Sequence, residues 1–263
     1  MRLQDKVAIV TGGGSGIGTA YTRRFLAEGA NVMIADIGEE QGTRTAAELA
    51  GEAENTDRVA FVKTDIADPE SAQAAMDATL ERFGTVDILV NNAAIYGDYV
   101  GSDHSLEYLK KVFDVNLHGQ WVMAKVVSPH LVQQRWGRII NVASIAAYLH
   151  QLSAGGDPDD FELSNYAYMQ SKWGVLGLTR HMAGQLGAFN VTVNCIAPGL
   201  TNTAATEKQV PTDFQPMFAT MSAMRRNTEP EHMVGPAVFF ASSDADLVNG
   251  QVLVVDGGNV MPV

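Results

Sequence analysis

Tyr168 and Lys172 stand four positions apart in the segment YMQSK, a spacing that on a helix puts both side chains on one face. A phenol beside an ammonium is the material of a proton-transfer pair. A free phenol has a pKa of ~10, so service as a base near neutrality needs about 4 kcal/mol of help. One ammonium ~5 Å away at an effective dielectric of ~20 contributes about 3 kcal/mol of it. The spacing alone is a weak signal: seven tyrosines and seven lysines in 263 residues give roughly 0.2 such pairs by chance. Tyr168 is nevertheless the only tyrosine with lysine at that offset, and its neighbour Tyr166 has the uncharged Gln170 there.

A second chemical signal lies in VAIVTGGGSGIGTA, Val7 to Ala20. No frame of it fits G-x-G-x-x-G, but Gly12, Gly16 and Gly18 fit G-x-x-x-G-x-G. The turn follows the apolar run KVAIV and opens a helical pattern with Ile17, Ala20, Tyr21, Phe25 and Leu26 on its inner face. Glycine permits positive φ and close approach of backbone to phosphate, and a helix N-terminus supplies free N–H donors. Asp36 ends the next apolar run, where an acid can accept bonds from a ribose. A ligand-free glycine turn is the alternative, and the strand, helix and Asp36 together weigh against it.

These residues must be positioned by an alternation of short apolar runs and amphipathic segments. KVAIV, NVMIAD, RVAFVKTD, VDILVNNA, GRIINVAS, VTVNCIAP and QVLVVDGG read as strands, most without polar alternation, as parallel strands buried on both faces require. Between them, Pro69–Phe83 carries Ala72, Ala75, Met76, Thr79, Leu80 and Phe83 as one stripe. Strand then helix, repeated, predicts an α/β fold: a single-domain, doubly wound parallel sheet of Rossmann type with helices on both faces, over residues 1–263. One segment breaks the rhythm. HQLSAGGDPDDFELSN, about 150–165, is a loop by composition, and loops of that length are functional or disordered more often than not.

Bulk properties exclude several classes. A net charge of −12, with the arginines scattered and only Arg23-Arg24 and Arg225-Arg226 adjacent, argues against a nucleic-acid partner. The single cysteine, Cys195, cannot form an intrachain disulfide and reads as a small core residue in a reducing compartment. Nothing reads as a signal peptide or a membrane span, so the expectation is a soluble cytoplasmic protein. His104, His118, His130, His150, His181 and His232 are too dispersed for a metal site, and none is predicted.

With these residues in view, the chain resembles the short-chain dehydrogenases/reductases. TGGGSGIG is similar to that family's T-G-x-x-x-G-I-G turn, which implies that Gly12, Ser15, Gly16, Ile17 and Gly18 face a nicotinamide dinucleotide. The resemblance implies further that Asp36 and Ile37 meet its adenosine ribose and that Asp65 and Ile66 contact adenine. NNAA, Asn91–Ala94, resembles N-N-A-G with alanine in the last place; it would support the sheet and bring Asn92 and Ala93 to the cleft. PGLTNT would hold the nicotinamide end through Pro198, Gly199, Thr201 and Thr203, and VDGG resembles the C-terminal strand signature. Asn116, Ser144, Tyr168 and Lys172 match the catalytic tetrad. In the roles so implied, Tyr168 is the base and Ser144 donates to the substrate oxygen. Lys172 also bonds the nicotinamide ribose, and Asn116 anchors a water between Lys172 and solvent. The reaction implied is reversible hydride transfer between a secondary alcohol and its ketone.

The twenty-four residues from Ser144 to Tyr168 exceed the family's usual spacing. Either the serine role belongs elsewhere, with Ser153 and Ser164 lying in the extra stretch, or 150–165 is an insertion; the strand-end pattern NVAS favours insertion. Asp36 repels a 2′-phosphate and Ile37, Gly38 and Ser15 offer it no base, so NAD is expected. For the substrate, the candidate walls are Ile95, Tyr96 and Tyr99, the 145–165 loop, and a lid about 202–224 carrying Phe214, Met217, Phe218, Met221 and Met224. That lid lacks clustered base, which disfavours phosphorylated or carrier-bound substrates and favours a compact alicyclic or aromatic alcohol or ketone; packing against the core is the other reading of its methionines. Alternatives are a dehydrogenase of a cyclic diol or sterol and a non-catalytic NAD-binding redox sensor. The resemblance also implies a homo-oligomer, a tetramer first, through roughly 115–135, 166–189 and the apolar tail 260–263.

Overall fold

The computed structural model describes residues 1–52, 57–96, 103, 105–149, 157–161 and 163–262. Tyr99, His104, His150, Ser153 and the first part of the expected insertion lie outside them. Seven parallel strands form one sheet: β1 (Val7–Thr11), β2 (Asn31–Asp36), β3 (Val59–Lys63), β4 (Ile88–Asn91), β5 (Gly137–Val142), β6 (Val191–Pro198) and β7 (Val252–Val255). Their order is β3-β2-β1-β4-β5-β6-β7, so the chain reverses its direction of travel between β1 and β4. The crevice outside the carboxyl ends of strands at such a reversal is where doubly wound sheets take ligands.

The missing alternation in the strands has its reason in the two cores. Ala8 and Val10, Val32 and Ile34, and Ile88 and Val90 point into one cluster with Tyr21, Phe25 and Leu26 of α1 (Gly16–Ala27) and Met233, Ala237 and Val238 of α9 (Pro230–Ala241). Ile9, Met33 and Leu89 point the other way, into Ala72 and Met76 of α3 (Pro69–Phe83), Val127 and Leu131 of α5 (Gly119–Gln134) and Met182 of α6 (Ala167–Leu186). Every second residue meets one layer of helices, so neither face is left for a run of solvated polar side chains. The stripe expected on α3 is buried through Ala72, Ala75, Met76 and Thr79, and the helix starts under an Asp68 cap with Pro69 in its first turn. Between β2 and β3 runs α2 (Glu39–Glu52).

At the sheet end away from the crevice, Arg138 of β5 is wholly buried and paired with Asp246. Its guanidinium also lies 4.3 Å from the Trp136 ring, and Nη1 donates to the Gly137 carbonyl at 2.9 Å. Burial pulls that guanidinium's pKa down, and Asp246 opposes the shift. Asp246→Ala is therefore expected to lower unfolding free energy by about 2 kcal/mol in urea melts. That is below the ~3–5 kcal/mol of a fully buried pair, because the aspartate is half exposed.

Candidate active site

One cavity of ≈ 1080 Å³ runs along the crevice. Gly12, Ser15, Gly16 and Ile17 from the glycine turn line it, with Asp36 and Ile37 after β2, Asp65 and Ile66 after β3, and Asn92 and Ala93 after β4. Ser144, Tyr168 and Lys172 close the reactive end beside Pro198, Gly199, Thr201 and Thr203. Of the cofactor-binding and tetrad residues expected from the sequence, Gly18 and Asn116 are not on its wall. The reason differs for each.

Gly12 and Gly16 adopt φ of 63° and 53°, backbone that glycine reaches without a steric penalty. Gly18 serves packing: a Cβ there would stand 2.0 Å from the Gly12 carbonyl oxygen. Asn92 locks the turn from the β4 side, its Nδ2 donating to the carbonyls of Thr11 at 3.0 Å and Gly12 at 3.2 Å. Asp36 accepts the Gly14 N–H on Oδ2 and the Gly38 N–H on Oδ1, each at 2.9 Å. The carboxylate plane is thus fixed, with acceptor capacity left on both oxygens for a vicinal diol.

Asn116 sits in a π-helical turn (Asp114–His118) that joins α4 (Leu106–Phe113) to α5. Wider turns of this kind recur at functional sites. Asn116 Oδ1 accepts the Ile95 N–H at 2.7 Å, and Nδ2 donates to the Ile95 carbonyl at 3.0 Å and to Ser171 Oγ at 3.2 Å. Ser171 in turn donates to the Tyr168 carbonyl at 2.8 Å. Asn116 is therefore a brace that fixes the segment after β4 against the helix of Tyr168, and both amide protons are engaged in that task. A second buried network supports it from below. Asn91 Nδ2 donates to Asn141 Oδ1 at 3.0 Å, and Asn141 Nδ2 donates to Thr179 of α6 at 2.9 Å. This is the sheet support expected of Asn91.

At the reactive end Tyr168 and Lys172 share one face of α6, with the lysine Nζ 5.6 Å from the tyrosine ring centroid. Lys172 donates one of its three protons to the Val142 carbonyl at 2.9 Å. Ser144, at the end of β5, caps the short turn Ile145–Tyr148 by accepting the Ala146 N–H at 3.1 Å, and its side chain favours the ionised form of the Tyr168 phenol. Tyr96 stands edge-on to Tyr168 with ring centroids 5.3 Å apart. The sequence argument let the ammonium bring the phenol toward neutrality. In the chain alone burial wins: it pushes the Tyr168 phenol up, Tyr96 adds to that, and the Ser144 side chain opposes it. Burial also lowers the Lys172 ammonium to about 8.

That lysine carries a pH signature. Below about 8 the ammonium is charged in both folded and unfolded chains and its burial penalty is fully present. Between about 8 and its ordinary 10.5 the unfolded chain alone keeps the proton, so stability rises with pH. The wild type is expected to gain roughly 3 kcal/mol on Lys172→Met across that window in urea melts run at stepped pH.

Several expectations need adjusting. Ser164 is off the cavity wall, its Oγ accepting the Tyr166 N–H at 3.4 Å, whereas Ser144 is on the wall; the geometry thus brings Ser144, and not Ser164, to Tyr168. The lid segment folds as α7 (Ala204–Gln209) and α8 (Phe214–Met221). Thr203, Ala204, Ala205 and Thr206 reach the cavity, but Phe214, Met217, Phe218, Met221 and Met224 do not. The first three pack with Leu200 and Val210 in the apolar cluster behind Tyr168, because α8 turns its apolar face there and not to the opening; Met221 and Met224 are exposed. Val260 joins the same cluster, while Met261 is exposed. Cys195 is buried as expected, its thiol pushed up to about 12.

Not foreseen from the sequence is the wall made by α4 and by Asp114 at the start of the π-helical turn. Leu106, Glu107, Lys110, Lys111 and Asp114 all line the cavity. The signal was present in Ser105, whose Oγ caps the helix by accepting the Tyr108 N–H at 3.1 Å, followed by the apolar spacing Leu106, Leu109, Val112. Two lysines and two acids on this wall cancel in charge. Among the described residues there is no group of His, Cys, Asp and Glu able to hold a metal, and no helix long and apolar enough to cross a membrane.

The chain is similar to known proteins over nearly its whole length. A family model described as enoyl-(acyl carrier protein) reductase matches residues 12–259. (+)-Borneol dehydrogenase 2 of Salvia officinalis is 34% identical over 98% of this chain and 90% of its own length. The chain belongs to the short-chain dehydrogenase/reductase family. A 3-alpha-(or 20-beta)-hydroxysteroid dehydrogenase of Mycobacterium tuberculosis is 35% identical over 98% of this chain and 91% of its own. The crystal structure of levodione reductase superposes with a TM-score of 0.85 at 29% identity, covering 98% of each chain. As a member of this family the protein is an oxidoreductase that uses a nicotinamide cofactor, NAD(H) or NADP(H).

Proposed function

We propose that the protein is an NAD-dependent dehydrogenase that interconverts a secondary alcohol and its ketone, on a compact alicyclic or aromatic substrate. The observation that carries this reading is the convergence of Tyr168, Ser144 and Lys172 at one end of the cavity whose other end holds the glycine turn and Asp36. Ser144 and Tyr168 hold the substrate oxygen between them, and Tyr168, as the phenolate, takes the alcohol's hydroxyl proton while the hydrogen on the carbinol carbon leaves as hydride. Lys172 holds its ammonium next to that phenol and has protons beyond the one given to Val142 for a ribose hydroxyl. The nicotinamide, when bound, supplies the hydride acceptor and, in its oxidised form, a positive charge that lowers the buried phenol. Asn116 and Asn91 act as positioning residues that keep α6 in register with the end of β4.

The glycine cradle fits such a cofactor: its two positive-φ glycines face the cavity, and beyond Gly16 the nearest atom to an added Cβ is a Thr203 methyl 3.5 Å away. For NAD over NADP the support is electrostatic. Asp36 stands beside Glu39 and Glu40 of the first turn of α2, which together disfavour a phosphate on the ribose. The substrate class is supported by Ile95, Tyr96 and Leu106 on the cavity wall, with Tyr96 edge-on to Tyr168, by the charge balance of α4 with Asp114, and by relatives named for borneol and levodione. The hydroxysteroid relative favours a second reading, oxidation of a sterol or cyclic diol. Exposed Trp121 and Trp173 on α5 and α6 support a homo-oligomer, a tetramer in the first instance, and the buried lone cysteine suits a cytoplasmic setting.

The test is cofactor reduction by the purified protein with NAD or NADP and 2-butanol, cyclohexanol, 1-phenylethanol or a 3-hydroxysteroid. Turnover with NAD, fastest on the single-ring alcohols, is expected. A clear preference for the steroid selects the second reading, and cofactor binding without turnover on any alcohol favours the sensor.

A further inference from the structure

The bonds that hold Asp36 lead to side chains outside the cavity. Asp36 Oδ2 takes its N–H from Gly14, a residue with no side chain to anchor it and no room for one: a Cβ there would meet Asp36 Oδ2 at 2.9 Å and the Gly42 Cα at 3.3 Å. The Gly14 carbonyl is held instead. Thr45 Oγ1 donates to it at 2.9 Å, Gln41 Nε2 donates to it at 3.1 Å, and Gln41 Nε2 also lies 3.2 Å from Thr45 Oγ1. The directions agree: the threonine hydroxyl gives its proton to Gly14 and accepts from Gln41. Thr45 is 2% exposed, and neither it nor Gln41 lines the cavity. Both stand on the first turns of α2, which reaches this position because Gly42 lies flat on Phe61, where a Cβ would come within 2.1 Å of the ring.

We propose that Gln41 and Thr45 form a clamp which, by holding residue Gly14 in place, orients the Asp36 carboxylate and so sets the preference for NAD over NADP. The inference rests on the NAD reading above. Each Asp36 oxygen has one backbone N–H, so the free lone pairs point in a fixed direction only while both donors stay in place. The Gly38 donor is tied by chain proximity, two residues away. The Gly14 donor is twenty-two residues away and lies on the Gly13–Gly14 peptide, whose carbonyl accepts from Thr19 Oγ1 at 3.2 Å; the clamp holds the next peptide, Gly14–Ser15, so that a glycine free to turn about φ and ψ is fixed from both sides. A free 2′-hydroxyl and 3′-hydroxyl bond to an oriented carboxylate. NADP carries a phosphate in place of the 2′-hydroxyl and so has the smaller stake in the direction of the carboxylate. Loosening the clamp therefore weakens NAD more than NADP.

Calorimetric titration of NAD and NADP into wild type, Thr45→Val, Thr45→Ser and Gln41→Leu separates the outcomes, with melting temperatures measured alongside. Thr45→Val keeps shape and removes the hydroxyl. It is expected to raise the Kd for NAD about 5–10-fold, the loss of one hydrogen bond to a group at the charged site, with NADP within about 2-fold. Gln41→Leu, on a less buried position, is expected to move NAD alone and by less, and Thr45→Ser to keep the wild-type preference. Equal weakening of both cofactors in Thr45→Val and Gln41→Leu means a general structural role and overturns the clamp, as does an unchanged NAD affinity in both. Tighter binding of NADP than NAD by the wild type itself overturns the NAD reading, and the clamp with it.

Discussion

Tyr168→Phe is expected to lower kcat for alcohol oxidation by about 10³–10⁴-fold while the Kd for the nicotinamide cofactor stays within about 2-fold. The substitution keeps the ring that packs with Leu200, Phe218 and Tyr96, so the apolar cluster and the edge-on contact survive. It removes only the phenol oxygen. The measurement is initial-rate kinetics on the best alcohol of the panel together with calorimetric titration of cofactor. A kcat within 10-fold of wild type would take the base role from Tyr168. Cofactor binding retained without turnover separates an enzyme from a redox sensor, since a sensor has no use for that oxygen.

Gly18→Ala carries the second large effect, and it acts on binding. The new Cβ would overlap the Gly12 carbonyl oxygen at 2.0 Å and stand 2.8 Å from Asn92 Nδ2. Backbone is in the way, not the end of a flexible side chain, so either α1 or the turn must move. Moving the turn breaks the Asn92 bond to the Gly12 carbonyl and displaces the cradle that Gly12 and Gly16 form at positive φ. The expected result is a loss of about 1–3 kcal/mol in unfolding free energy and at least a ~100-fold rise in cofactor Kd. Gly184→Ala is the control. It lies in α6 with nothing within 4 Å of the added methyl, and is expected to stabilise by about 0.5–1 kcal/mol. An unperturbed cofactor Kd in Gly18→Ala, by titration, would contradict the packing role.

The sheet was legible because its signal is dense and local. Runs such as VAIV, IAD and IINV can be buried on both faces only in a parallel sheet between helices, and the strands lie where those runs are. The cleft residues were legible for a related reason. Gly12, Asp36, Ile66, Asn92, Ser144 and Pro198 all stand at or just past the carboxyl ends of strands, so chain order alone brings them to one edge. What was hidden depends on the angle of a helix or on long-range bonding. Nothing in DVNLH distinguishes a π-helical turn from an α-helical one, so the engagement of Asn116 with Ile95 could not be foreseen. The face that α8 turns toward Tyr168 is set by its neighbours Leu200 and Val210, which is why its methionines and phenylalanines were assigned to the pocket. The burial that raises Tyr168 was hidden in the same way: charge spacing is visible in sequence, while complete burial of both partners is not.

The central claim is direct hydride transfer from a carbinol carbon held at Tyr168. The measurement that tests it is the fate of deuterium placed on that carbon in the best ring-bearing alcohol of the panel, followed by mass spectrometry of the reduced cofactor and of the ketone. The account expects one deuterium in the reduced NAD, none released to water, and no transfer in Tyr168→Phe. Deuterium appearing in solvent, or reduced cofactor without label, would contradict it.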